Sequence, residues 1–170
     1  MAHSSLVWDE SGLASHYLSD KLRADFSYVP GGFIGFDNGQ MVGAFIFHNE
    51  RRVGLCAEAA LVVGAESPRC FVPSNIRAVL NMAFQPSPDG LGFTRLTCKV
   101  DEDNEPSLSF TKRLGFVEEG RHREATADLG DVIILSLLAR ECSWLVAKED
   151  DEENSLIDNP ANLNGDFGDG

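Results

Sequence analysis

Glu58 is the one charge in the apolar run from Val53 to Val63, set between Ala57 and Ala59. A carboxylate stripped of water by such neighbours is a stronger base than one in solvent, which suits it to take a proton from a reacting group. The alternative is a carboxylate that pairs with Arg51 or Arg52, or lies exposed on a strand. His48, ahead of Asn49-Glu50-Arg51-Arg52, is a second proton acceptor near neutral pH, or else a partly exposed strand end. Downstream, residues 64–74 lead from an apolar run into an amphipathic one. The first turn of a helix carries amides without partners and a dipole that favours negative charge, so a strand entering such a turn can cradle an anion. Arg69 and Arg77 would add positive charge there. An ordinary strand-to-helix connection is the alternative, because no glycine between Gly64 and Gly90 lets backbone approach a phosphate closely. The cysteines at 56, 70, 98 and 142 make no Cys-x-x-Cys pair, so neither a zinc cluster nor a redox motif is visible, and an intracellular compartment fits. No Ser-His-Asp arrangement follows from the spacing.

These groups need a scaffold, and the hydrophobic periods outline one. Leu6 to Trp8 reads as a short strand, and Leu13, Ala14, Tyr17, Leu18 and Leu22 as a helix that Asp9 or Ser11 can cap. Phe33 to Phe36 and Met41 to His48 flank Asn38-Gly39, a strong hairpin signal because both turn positions tolerate positive φ. Asn49 to Arg52 reads as a second reversal before a strand at 53–63. Ile76, Val79, Leu80, Ala83 and Phe84 form a helical stripe that Ser74 can cap. Phe93 to Val100 alternates, with Leu96, Cys98 and Val100 on one face. A short helix from Glu105 to Leu114 follows, with Asn104 at its head and Gly115 at its end. Strands at 116–125 and 131–138 close the chain, the last apolar on both faces and therefore central. The order is β-α-β-β-β-α-β-α-β-β, an α/β fold with a mixed central sheet flanked by helices.

A chain of 170 residues makes one domain, expected here over 1–147. With 14 basic against 27 acidic residues the net charge is −13, which disfavours nucleic acid and anionic membranes as partners. No apolar run approaches a membrane span, and the start Met-Ala-His-Ser-Ser is not a signal peptide. Residues 148–170 form an acidic tail expected to be disordered, either solubilising or docking a basic protein partner. Without it the body is only mildly acidic, so an anionic small ligand remains compatible with it.

Residues 95–120, RLTCKVDEDNEPSLSFTKRLGFVEEG, resemble the C-terminal half of the GNAT superfamily of N-acetyltransferases. The resemblance lies in Asn104-Glu105-Pro106-Ser107, in Lys112 to Phe116, and in Glu119-Gly120. Arg121, Arg123, Asp131 and Leu137-Leu138 are similar to the ribosomal-protein acetyltransferase branch, and Arg140 to Leu145 to GNAT-like proteins of tailed bacteriophages. With the helix at 74–85 the resemblance spans roughly 53–145. It implies two splayed parallel strands, 53–63 and 93–100, that hold the pantetheine arm of acetyl-CoA. By the same resemblance, the Val62 and Val63 backbones would bind that arm and polarise the thioester carbonyl. Arg69, Cys70, Phe71, Val72 and Ser74 would hold the pyrophosphate, and Asn104 and Ser107 would flank the thioester. Glu58 would relay the proton as a primary amine, small or a protein N-terminus, attacks directly. The phosphate loop departs from the family pattern: Pro68 and Cys70 replace its glycines, and Thr111 stands where many members carry a general-acid tyrosine. A non-catalytic GNAT-fold protein, a phage particle or host-interaction component or an acyl-CoA sensor, is the alternative. The location implied is cytoplasmic, in the host cytoplasm or particle-associated if phage-encoded.

Overall fold

The alternating stretches pair into one seven-stranded sheet in the computed structural model, which describes residues 4–145. In chain order the elements are β1 (Ser4–Asp9), α1 (Leu13–Leu22), β2 (Gly32–Asp37), β3 (Gln40–Val53), β4 (Cys56–Ala65), α2 (Pro73–Phe84), β5 (Arg95–Asp101), α3 (Glu105–Arg113), β6 (Val117–His122) and β7 (Val132–Leu138). This is the order expected from the sequence. Across the sheet the strands run β1-β2-β3-β4-β5-β7-β6, with β4 and β5 parallel and all other neighbours antiparallel. The expected acidic tail, 148–170, lies outside the described residues.

Local chemistry explains most boundaries. Asn38 and Gly39 take positive φ of 50° and 80°, the pair a two-residue hairpin needs. The second reversal is not at 49–52. Asn49 instead adopts φ 53° as part of an irregularity between His48 and Arg51, and β3 runs on to Val53 before turning at Gly54. Ser74 does not cap α2. The cap position is Val72, with Pro73 at the first helical position, where its missing N–H costs nothing. Asn104 does cap α3, its Oδ1 accepting the Ser107 N–H at 3.2 Å.

The two faces of the sheet are covered unequally. On one, the α2 stripe of Ile76, Val79, Leu80, Ala83 and Phe84 packs with Phe33, Phe45, Phe47, Leu61, Leu96, Leu135 and Leu137. On the other, α1 sets Ala14 and Leu18 against Ile34, Ala44 and Ile46 of β2 and β3. The main contacts of α1 are with β2, β3 and β4, so beyond β4 it leaves this second face uncovered, and Arg95, Thr97, Lys99 and Ser136 stand there.

A notch on the α2 face anchors the loop after β4. Gly35 and Gly43 face each other across β2 and β3, and a Cβ on either would sit 2.7 Å from the Cys70 Sγ. Cys70 is fully buried there, in the 3₁₀ turn Pro68–Phe71, and burial pushes its thiol up to about 11.

Candidate functional site

β4 and β5 share only three register pairs, Glu58 with Arg95, Ala59 with Leu96 and Ala60 with Thr97. Both strands continue, β4 to Ala65 against β3 and β5 to Asp101 against β7. Each follows its other neighbour, so the sheet opens into a V with its vertex at Ala60 and Thr97. The direction of the unpaired groups follows from two bonds: the Glu66 N–H goes to Val42 O on the β3 side, and Ala57 O accepts from Thr94 on the β5 side. Backbone groups alternate along a strand, so even-numbered residues of β4 serve β3 and odd-numbered ones face β5. Val63 therefore turns its N–H and C=O to the gap. Val62, expected to share this role, has its backbone engaged with β3, where it stands opposite Ile46.

The open end lies between the 66–74 loop and the turn before α3. Arg69 does not point into it. Its guanidinium forks onto both carboxylate oxygens of Asp37, at 3.1 and 3.2 Å, at the end of β2, two strands away from β4. The Cys70 thiol faces the glycine notch. Phe71 turns inward too, edge-on to Phe45 at 5.9 Å and against Phe110 of α3 at 4.8 Å, so its ring joins the two walls on the helix face. The backbone of this loop is largely self-satisfied: Arg69 and Cys70 donate to Ser67, and Asn75 and Ile76 to Val72. Val72 and Ser74 keep amides with no acceptor among the described residues. Asn104 and Ser107 stand at this same open end, because β5 runs away from the vertex toward them. Thr111 is buried against Cys98, whose thiol burial pushes up to about 12.

The vertex carries a network on the face α1 leaves open. Glu58 Oε1 accepts from Thr97 at 2.8 Å and from Arg95 Nε at 3.3 Å. This is not the isolated carboxylate among alanines that its neighbours in sequence suggest, and its cation is Arg95 rather than Arg51 or Arg52. Arg95 also donates to Glu119 and, at 2.5 Å, to Ser136. Hydrogen bonds from Arg95 and Ser136 hold the Glu119 carboxyl below its ordinary range. His48 stands opposite Ala60 on the same face, its Nδ1 3.2 Å from the Tyr28 hydroxyl. Burial, aided by the charge of Lys99, keeps the imidazole below its ordinary pKa. Arg95, Thr97, Glu119 and Ser136 escape a reading of the sequence. The one local signal for them is the polar alternation of Arg95, Thr97 and Lys99 against Leu96, Cys98 and Val100.

Among the described residues no cluster of His, Cys, Asp and Glu is arranged to hold a metal, and no helix is long and apolar enough to cross a membrane. No protein-family model matches the chain, and no curated protein does. Solved structures do match. Mycobacterium smegmatis RimJ in complex with CoA-disulfide is 23% identical, over 65% of this chain and 53% of that one, with a TM-score of 0.52. Mutant forms of the spermidine/spermine N-acetyltransferase SpeG from Vibrio cholerae are 15% identical, over 81% and 94%, with a TM-score of 0.62. A GNAT-family acetyltransferase from Streptococcus pneumoniae is 16% identical, over 79% and 99%, at 0.55. The chain spans 53%, 62% and 58% of the first three chains it matches.

Proposed function

We propose, from the GNAT acetyltransferase fold that this chain has, that it transfers an acetyl group from acetyl-CoA to an amine. The observation that carries this reading is the early break in the β4–β5 ladder, which leaves Val63 facing a gap. An extended pantetheine arm can bond to Val63 as a strand would. With its phosphates at the open end, near the Val72 and Ser74 amides, its thioester would rest at Ala60 and Thr97. The CoA-disulfide in the RimJ structure supports a CoA-type donor, and the names of the SpeG structures support an amine acceptor.

Acetyl-CoA supplies an activated acyl carbon. The chain's part is to orient it, to hold the amine on the face carrying Glu58 and His48, and to take the amine's proton as the C–N bond forms and the C–S bond breaks. Glu58 is our candidate for this role: it stands at the vertex, with Arg95 and Thr97 fixing its carboxylate. His48 is the second base on the same face.

Titration calorimetry with acetyl-CoA tests the reading. Micromolar affinity supports it, and heat indistinguishable from dilution overturns it. If acetyl transfer to an amine is then measured, Glu58→Gln should lower kcat by about 100-fold where Glu58 is the base. An unchanged kcat assigns that role elsewhere.

The second reading, a non-catalytic protein on the same fold, draws on Arg69 being held by Asp37 and on the Phe71 ring joining the loop to α3. It predicts that the wild type fails to bind acetyl-CoA while Phe71→Ala binds it.

A further inference from the structure

We propose that Lys99 is itself an acyl acceptor, so that the chain acetylates its own β5 strand; this rests on the transferase reading above. Lys99 stands two residues beyond Thr97, the last residue of β5 paired to β4, and its side chain shares the face of Thr97 and Arg95. His48 stands opposite Ala60, the other half of that last pair, on the same face. An amine from β5 and an imidazole from β3 thus flank the vertex, where the thioester of an arm lying along Val63 comes to rest. Lys99 is exposed and makes no ion pair among the described residues, whereas Lys21 is paired with Glu66 and Lys112 with Glu118.

The chemistry closes. In the tautomer whose Nδ1 donates to the Tyr28 oxygen, the His48 Nε2 lone pair can take one proton from the Lys99 ammonium. The neutral amine attacks the thioester carbonyl, the N–C bond forms and the C–S bond breaks. The departing thiolate takes the second proton and leaves as CoA thiol, and His48 returns the first to solvent. The product is an uncharged amide, so one turnover removes a cation without an ion pair among the described residues from the acceptor face.

The test is peptide mass spectrometry of the full chain incubated with acetyl-CoA, beside calorimetry on the same sample. The expected result is one acetyl group on Lys99, gained about tenfold faster than on Lys112, which reports random acylation of an exposed lysine on the same chain. The rate should not depend on protein concentration, and His48→Gln should slow it. Lys99→Arg should abolish that modification and leave Lys112 unchanged. Binding of acetyl-CoA with Lys99 acetylated no faster than Lys112 overturns this inference and leaves the transferase reading standing. Absence of binding overturns both.

Discussion

Two small residues and a thiol decide where the loop after β4 goes. Gly35 and Gly43 leave a notch in the sheet that the Cys70 Sγ fills, and the buried thiol draws Phe71 inward beside it. Cys70 stands where the resemblance to GNAT proteins would put a glycine for phosphate contact. Here the position serves the core, and Arg69 beside it is turned to Asp37. Gly43→Ala should therefore destabilise the chain by about 1–3 kcal/mol, since its Cβ would also meet Ala65 Cβ and Gly64 O at 2.9 Å. Cys70→Ala in the same chain should recover part of that loss. Urea denaturation of the four variants of this cycle measures the coupling, and strictly additive effects would show that Gly43 and Cys70 do not press on one another.

At the scale of elements, the site is made by what β4 fails to do. It stays hydrogen-bonded to β3 as far as Ala65 but leaves β5 after Ala60. The two edges of one strand thus differ in protection, residue by residue. In native-state hydrogen exchange the Val62 amide, bonded toward β3, should be protected, while the Val63 amide exchanges markedly faster in the free protein and slows when acetyl-CoA is added. Equal protection of Val62 and Val63 in the free protein would mean that the gap is closed by something else. The same parting of strands sets the roles of α2 and α3. Both begin at the open end, where Asn104 caps α3 by accepting the Ser107 N–H.

Over the whole molecule, one face of the sheet is sealed by α2 and α3 and the other only half covered by α1. His48 and Glu119 stand on the uncovered half, and the shifted groups set an order for acid unfolding. His48 has a folded pKa below the ordinary 6.5, so the unfolded chain takes up its proton first. The stability it contributes is whole above pH 6.5 and is lost as pH falls from there to the folded value. The stability contributed by Glu119, held down by Arg95 and Ser136, and by Asp131, held down by the Glu124 amide and Arg121, is whole above their ordinary 4.5 and 3.8 and is lost as pH falls below those values. Thermal melts should thus decline in two stages on acidification. His48→Gln should flatten the upper stage and leave the lower one in place. A melt of His48→Gln with the same slope as wild type between pH 7 and about 5 would remove His48 from this account.

The architecture was readable from the chain because its signals are local. The Asn38-Gly39 turn, the stripe from Ile76 to Phe84, the Asn104 cap and the doubly apolar run 132–138 each depend on residues a few positions apart. Backbone sterics and the 3.6- and 2-residue periods act over that range. The second reversal was misplaced for the same reason: Asn49 and Gly54 both tolerate positive φ, and only pairing with β4 chose between them. The site depended on distance in sequence. Glu58 meets an arginine 37 residues on, Arg69 a carboxylate 32 residues back, and Cys70 a pair of glycines in two other strands. Which side chains meet across a sheet is set by register and by which face each strand presents, and a sheet acquires those only when all its strands have paired.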